Sequence, residues 1–275
     1  MKFLIAYDFS SSSKMALHYG AYLTKKLNGN ISVIHVIPEI VVGPEMPMFL
    51  PDAEMITKAE NELNNDVRVI LDLYDLEETK INIEVSVGSV IGALLSHEEN
   101  TDMIIMGTHD YDNFFDKILG STSTEFIKQC YKPVMLIHAQ TTWPIHFSKC
   151  IFAVDDHTDL SSALEQYNTL NSELKAHTNF INFGLNENSV ALQFEKILKE
   201  YYLSHEVDFA FEINHIDSNK AQDELRKIIS ENNIDFLCMV KQNVGFLDNY
   251  FGKSFSLSTA HKTSLPVIIY KSNSK

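Results

Sequence analysis

The chain lacks the features that would place it in a membrane or build it around disulfide bonds. It has no run of about 18 apolar residues, the length that a membrane-spanning helix needs. Its three cysteines, Cys130, Cys150 and Cys238, have neither metal-binding nor redox spacing, and their odd number argues against a disulfide framework. No signal-peptide pattern precedes the first apolar segment. We therefore expect a cytoplasmic protein that makes no membrane contact.

Positive charge is also scarce. The chain has 22 Lys and Arg against 37 Asp and Glu, which gives a formal net charge of −15. No basic stripe offsets this charge, so the surface would repel nucleic acid and anionic membranes. We expect no nucleic-acid partner, whereas a small buried site for an anion is still compatible with the composition.

What the chain does contain is an internal repeat, which sets the architecture. Residues 2–36 and 149–183 align without a gap at an offset of 147. Each copy reads as an apolar strand that ends in an aspartate (Asp8 or Asp155), then a helix, then a second apolar strand. The repeat indicates two related α/β domains in tandem.

The closing segments of the two copies, which begin at Asp102 and Asp235, align at an offset of 133 instead. Apolar strands that alternate with amphipathic helices predict an open, five-stranded, mainly parallel sheet in each copy, with helices on both faces. We predict domains at residues 1–139 and 148–275, joined by a linker at 140–147.

Local patterns set the limits of single elements. Ser89 is a predicted N-cap after a glycine, and Ser10 or Ser11 is predicted to cap the first helix. In the second copy the pattern predicts a strand at 207–213 and a final helix at 254–264.

A candidate phosphate site follows the fourth strand of the first copy. Ligands of open parallel sheets bind at the carboxyl ends of the strands. There the chain reads Gly107-Thr108-His109-Asp110, then nine residues, then Gly120-Ser121-Thr122-Ser123-Thr124. Glycine lets a ligand approach the backbone closely, and hydroxyls and free helix N–H groups donate to anionic oxygens. Most Gly-Ser pairs at a helix start are only caps, but this position favours a phosphate cradle.

These residues resemble a motif of the universal stress proteins. Nucleotide-binding members of that family carry Gly-x-x-Gly, nine residues, then Gly-Ser or Gly-Thr, with an Asp ending the first strand and His-Val ending the second. This chain has Asp8, His35-Val36, Gly107 and Gly120-Ser121 at the same spacing. The resemblance covers essentially all 275 residues as two repeats. It implies two doubly wound domains of the adenine nucleotide α-hydrolase-like type.

The resemblance also implies a ligand, which is ATP or another adenine nucleotide, with Mg²⁺. Adenine and ribose would lie near Tyr7, Asp8 and Val36, and the phosphates would lie over Gly107 and the start of the fourth helix. The full set of implied site residues is Ala6, Tyr7, Asp8, Val36, Met106, Gly107, Thr108, His109, Asp110, Gly120, Ser121 and Thr122.

Two departures from the motif put nucleotide binding in question. Asp110 stands where the family has its second motif glycine, and its carboxylate would repel phosphate. It could rotate to solvent, bind phosphate through a bridging cation, or mark a site that no longer binds nucleotide. In the second copy Val240 and Lys253 replace Gly107 and Gly120, which indicates a degenerate motif.

Two functions follow from this interpretation. The first is a stress-response or signalling module that binds an adenine nucleotide in its first domain. The alternative is a protein-interaction module in which neither site binds nucleotide, with a protein partner that the sequence does not name. An enzyme is disfavoured because no nucleophile elbow or paired-carboxylate constellation is evident; slow nucleotide hydrolysis is the most we expect.

The last strand of each domain, at residues 133–138 and 266–271, would be an open sheet edge. Single-domain members of the family commonly dimerise through this strand. We therefore expect the two copies to pair with each other as an internal pseudo-dimer.

Overall fold

The fold consists of two compact units, the first ending at Thr141. The structure is a computed structural model, and it describes residues 1–39, 51–108, 121–141, 145–155, 160–184, 188–205, 207–217, 221–241 and 265–271. Residues 142–144 of the predicted linker lie outside this part. The exact domain limits, 1–139 and 148–275, stay a prediction.

The first unit alternates strand and helix along the chain. Its strands are β1 (Lys2–Tyr7), β2 (Asn30–Ile37), β3 (Ile81–Val87), β4 (Met103–Gly107) and β5 (Val134–Ile137). Its helices are α1 (Ser11–Lys26), α2 (Ala53–Tyr74), α3 (Val90–Ser96) and α4 (Ser121–Gln129). The strands are parallel in the order β3-β2-β1-β4-β5, as the strand-and-helix pattern predicts.

The second unit repeats this order. Its strands are β6 (Lys149–Asp155), β7 (His177–Gly184), β8 (Phe211–Asp217), β9 (Phe236–Lys241) and β10 (Val267–Lys271). Its described helices are α5 (Ser161–Leu174), α6 (Asn188–Ser204) and α7 (Ala221–Asn232). The strands are again parallel, in the order β10-β9-β6-β7-β8. Two doubly wound α/β domains in tandem are therefore confirmed.

Apolar central strands form the core of each unit, because side chains on both faces of a parallel sheet are covered by helices. Ile5 and Val33 in the first unit, and Phe152 and Phe180 in the second, are completely buried. Within the described ranges, no helix combines the length and the apolar character that crossing a bilayer requires.

Both predicted serine caps in the first unit are confirmed. The Ser10 hydroxyl accepts a hydrogen bond from the Ser13 amide at 3.2 Å, and the Ser89 hydroxyl accepts one from the Gly92 amide at 3.2 Å. Each bond satisfies an amide that a helix leaves without an intrahelical partner. The caps fix where the chain turns from strand to helix.

The predicted strand at 207–213 is wrong by four residues, because β8 runs from Phe211 to Asp217. Polar residues in its second half interrupt the apolar pattern from which the strand was predicted. The Asn214 amide donates to the Asn179 side chain at 2.8 Å, and Nδ1 of His215 donates to Oδ1 of Asn182 at 2.7 Å. These cross-strand bonds replace the apolar contacts that the sequence pattern requires. The predicted helix at 254–264 lies outside the described residues.

Candidate functional site

The site that the sequence predicts lies where the strand order of the first unit reverses. Strand β1 has β2 on one side and β4 on the other, and open α/β sheets bind ligands at such a switch point. The parallel register pairs Ala6 with Met106, and Tyr7 with His35. The carboxyl ends of the three strands are therefore neighbours, and they bring together Ala6, Tyr7, Asp8, Val36, Met106, Gly107 and Thr108.

The remaining predicted residues follow β4 in the sequence, up to the first turn of α4. His109, Asp110 and Gly120 lie outside the described residues. Helix α4 begins at Ser121, and the Thr122 side chain in its first turn is exposed. The described first turn of α4 therefore offers one exposed hydroxyl, that of Thr122.

Asp8 presents an exposed carboxylate at the end of β1. Its Oδ1 accepts hydrogen bonds from the Ser10 amide at 3.1 Å and from the Ser10 hydroxyl at 2.5 Å. Because Ser10 also caps α1, the cap holds the carboxylate in a fixed orientation. A fixed, exposed carboxylate can accept hydrogen bonds from the hydroxyl or amino groups of a ligand.

Gly107 is required by the fold of the unit itself. A Cβ atom at this position would lie 2.6 Å from the carbonyl carbon of Ser12 and 2.6 Å from the amide nitrogen of Ser13. These are backbone atoms of the first turn of α1, which cannot move aside as a side chain can. The glycine therefore lets the start of α1 lie directly against the end of β4, and it brings the Asp8 turn and β4 into one place.

Two hydroxyls in the predicted set are engaged inside the protein. The buried Tyr7 hydroxyl donates to Oδ2 of Asp66 on α2 at 2.6 Å, and Lys14 lies 3.4 Å from the same oxygen. Burial, and then the bond to Asp66, raises the pKa of Tyr7 far above its ordinary value. The buried Thr108 hydroxyl donates to the Ile137 carbonyl at 3.4 Å. These bonds direct both hydroxyls into the protein.

Phe9 is a residue of this site that the sequence analysis missed. Its backbone is left-handed, with φ of 65°, which is uncommon for a residue other than glycine. Its ring packs edge-on against Tyr7 and His35, with centroids 5.2 and 4.6 Å apart. Nδ1 of His35 in turn donates to the Tyr7 carbonyl at 2.9 Å. The ring thus covers the His35 side chain at the end of β2, and the next residue, Val36, is 8% exposed. An Asp-Phe-Ser sequence carries no signal for this conformation.

The second unit has different residues at the same places. Asn182 occupies the position of His35 in the repeat and is 1% exposed. Its Oδ1 accepts a hydrogen bond from Nδ1 of His215. Val240, which is 2% exposed, occupies the position of Gly107. In neither described part do three or more His, Cys, Asp or Glu side chains cluster as a metal ion would require.

Comparison with known proteins identifies the family. A sequence model of the universal stress protein family matches residues 1–138. Universal stress protein MJ0577 from Methanocaldococcus jannaschii is 28% identical over 152 residues, which span 50% of this chain and 93% of that protein.

Two solved structures share the fold over nearly the whole chain. A universal stress protein from Archaeoglobus fulgidus DSM 4304 has a TM-score of 0.69 at 18% identity, over 98% of each chain. A protein of unknown function from Pseudomonas aeruginosa PAO1 has a TM-score of 0.58 at 11% identity, over 98% of this chain and 92% of its own. By its family match and its fold, the chain belongs to the universal stress protein family.

Proposed function

We propose that the protein is a stress-response or signalling module that binds an adenine nucleotide in its first unit. The observation that carries the proposal is the meeting of Asp8 and Gly107 at the β1–β4 switch point, where doubly wound sheets bind nucleotides. Membership of the universal stress protein family supports the same assignment. The second unit has Val240 in place of Gly107, so we propose one site per chain.

In this proposal each part of the site meets a different part of the nucleotide. The Asp8 carboxylate accepts hydrogen bonds from ribose hydroxyls or the adenine amino group, and Val36 supplies an apolar wall. The phosphates lie toward Gly107 and the start of α4, where Gly120, Ser121 and Thr122 follow one another. Mg²⁺ would neutralise phosphate charge beside Asp110.

Calorimetric titration with ATP and with adenosine, each with and without Mg²⁺, tests the proposal. We expect one site, and we expect Asp8→Asn to weaken both ligands about tenfold through loss of charge-assisted hydrogen bonds. The matched control is Asp155→Asn, at the equivalent position of the second unit, which should change neither affinity. Two equivalent sites per chain, or equal effects of both variants, would contradict the assignment.

Substitutions between β4 and α4 in the sequence separate the contributions of charge and space. Gly120→Val should abolish binding because a branched side chain blocks the approach of phosphate. Asp110→Gly should tighten ATP about tenfold, and adenosine much less, because only ATP carries the charge that Asp110 repels. An equal gain for both ligands would point to backbone geometry rather than to charge.

A second candidate function, protein interaction without nucleotide, is favoured by one observation. Val69 and Leu73 lie one turn apart on α2 and are 64% and 56% exposed. If the folded protein binds neither ATP nor adenosine, this function replaces the first.

We also propose that the two sheet edges associate as an internal pseudo-dimer. Each of β5 and β10 is the last strand of its own unit's sheet, pairing with β4 and β9 respectively. An uncovered edge would leave backbone groups open to other chains. Hydrogen exchange of the amides of β5 and β10 should therefore be as slow as that of β1 and β6. Rapid exchange in both edge strands would contradict the pairing.

A further inference from the structure

A polar groove lies between α5 and the carboxyl end of α6 in the second unit. Its volume is about 710 Å³, within the range of small-molecule sites. Its lining includes Ser161, Glu165, Asn168 and Ser172 from α5, with Tyr201 and Phe209 opposite. The groove is distant in sequence from the switch-point residues of the first unit, and no part of the proposed nucleotide site contributes to it.

At three of four corresponding positions, the α5 face that lines this groove carries short side chains where α1 carries long ones. At the repeat offset of 147, Lys14, His18, Tyr22 and Lys25 of α1 correspond to Ser161, Glu165, Thr169 and Ser172 of α5.

In the first unit the long side chains reach α2 and close the space between the helices. His18 lies 3.3 Å from the Tyr74 hydroxyl, and Lys25 donates to the Asp75 carbonyl at 2.7 Å. The serines and threonine of α5 are too short to make such contacts. Helix α5 therefore lacks the contacts that the long side chains of α1 make in the first unit.

The α5 face presents hydrogen-bond acceptors to this space. The Thr169 hydroxyl donates to the Glu165 carbonyl at 2.9 Å, and the Ser172 hydroxyl donates to the Thr169 carbonyl at 3.2 Å. Both protons are used within the helix, so the oxygen lone pairs are left for a ligand. The Glu165 side chain is exposed and adds a carboxylate acceptor.

The charge of the lining favours a cation, because it has two carboxylates, Glu165 and Asp208, and one histidine, His205. No Lys or Arg lines the groove among the residues that the structure describes. Its second carboxylate, Asp208, is paired with Lys175 at the rim, which leaves Glu165 to face a ligand. His205 stacks on one face of the Tyr201 ring at a centroid distance of 4.2 Å. The Phe209 ring and the rest of the Tyr201 ring can pack on methylene groups and attract a cation.

Asn168 adds an amide group that a ligand beside the Glu165 carboxylate can contact. Its Oδ1 accepts a hydrogen bond from the Tyr202 hydroxyl at 3.2 Å, and its buried Nδ2 carries two N–H groups, of which at most one bonds to the Tyr201 hydroxyl. Buried polar groups are normally paired. Asn168 lies three residues after Glu165, so the two side chains are neighbours on one helix face. A ligand that satisfies both carries a positive charge and an oxygen acceptor.

We propose that this groove binds a small amino alcohol, with its ammonium group at Glu165, its hydroxyl oxygen at Asn168 and its methylene groups against Tyr201 and Phe209. The inference goes beyond nucleotide binding and concerns the other unit. Failure of ATP to bind would leave the groove proposal intact, and failure of the amino alcohol to bind would leave the nucleotide proposal intact.

Three probes of similar size test the chemistry by NMR titration of the whole chain at low ionic strength. They are 4-amino-1-butanol, 1,4-butanediol, which lacks the charge, and n-butylamine, which lacks the hydroxyl. We expect the amino alcohol to bind at least tenfold more tightly than the diol and several-fold more tightly than the amine, with shifts confined to α5, the end of α6 and residues 207–209. The preference over the diol should fall with added salt. Equal affinity for the diol would overturn the proposal, and equal affinity for the amine would remove the role of Asn168.

Variants on α5 separate the groove from the general negative charge of the surface. Glu165→Gln should weaken the amino alcohol about tenfold, and Ser172→Lys, which restores the residue of α1, should abolish binding. Glu173→Gln is the matched control, because Glu173 is an exposed carboxylate on the same helix that does not line the groove. It should keep the affinity within twofold. Unchanged melting temperatures would show that all three variants fold, and an equal effect of the two glutamine variants would overturn the site.

Discussion

The two units differ strongly in residue size at one position where the first helix of each unit packs on its sheet. In α1 the position is Gly20, and in α5 the corresponding residue is Tyr167, which is fully buried. Around Gly20 the strands carry large side chains, so that an added Cβ would lie 2.5 Å from Cδ1 of Ile5 and 2.9 Å from Cδ1 of Ile31. Around Tyr167 a neighbouring strand residue is smaller, because Thr178 occupies the position of Ile31.

The second unit also has polar contacts at positions where the first unit has apolar side chains. The Tyr167 hydroxyl bonds with the Thr178 hydroxyl and lies 3.1 Å from Sγ of Cys150, which replaces Phe3 of the first unit. Burial, and then the neighbouring cysteines, raises the pKa of Tyr167 well above its ordinary value. The comparison shows that the second unit has a large residue on the helix opposite the smaller strand residues Thr178 and Cys150, where the first unit has Gly20 opposite Ile31 and Phe3.

The largest effect should come from removing the tyrosine. Tyr167→Ala deletes a ring that packs against Phe152 at a centroid distance of 4.9 Å, and it leaves Thr178 and Cys150 without their phenolic partner. We expect the second unit to lose about 3–5 kcal/mol of unfolding free energy. Guanidinium denaturation followed by circular dichroism measures this loss. A loss below about 1.5 kcal/mol would mean that the ring is not the main filler of this core.

A smaller effect is expected at the end of β4. Gly107→Ala forces a methyl group against the backbone of Ser12 and Ser13, and we expect a loss of about 1–3 kcal/mol. The control is Gly92→Ala, where the nearest atom, Cβ of Ser89, would be at an ordinary distance of 3.5 Å. The control should be neutral or stabilising in the same denaturation experiment. Equal stability of both variants would show that α1 shifts away from β4 without cost.

Adding a side chain at Gly20 of α1 tests the same difference between the units from the other side. Gly20→Ala should destabilise the first unit by only about 1 kcal/mol, because crowding against Ile5 is partly offset by better helix propensity. Adding Ile5→Val removes the Cδ1 atom in the way, so the double variant should be more stable than the sum of the single effects predicts. Strictly additive free energies in the double-mutant cycle would argue against this contact.

The smallest effect concerns pH. Burial lowers the pKa of His18 below its ordinary value, so between the two pKa values the unfolded chain binds more protons than the folded one. Stability therefore rises with pH, and the contribution of neutral His18 is lost as pH falls below about 6.5. Glu165 occupies this position in the second unit, so the effect should be confined to the first. His18→Phe should flatten the stability profile of the first unit between pH 5 and 7. An unchanged profile would assign the dependence to other groups.

The sequence predicted the ends of an element correctly where local residues determine them, as the apolar run does at β1 and the cap does at Ser10. It placed β8 too early because Asn214 and His215 of β8 bond to Asn179 and Asn182 of β7, and such cross-strand pairs cannot be predicted from one segment alone. It identified Gly107 as a place of close approach, but the atoms that approach in the structure belong to α1. The groove beside Glu165 was missed because it depends on two helices that fail to fill the space between them.

The left-handed turn at Phe9 has a kinetic consequence. Its ring lies on His35, beside the Val36 wall where the proposed nucleotide would dock. If the ring has to turn away before a ligand docks, only the fraction of molecules with the ring open can accept one. The association rate would consequently fall well below the diffusion limit and stay insensitive to the charge of the ligand. Phe9→Gly relieves the backbone constraint and removes the cover, so it should speed both arrival and departure of adenosine.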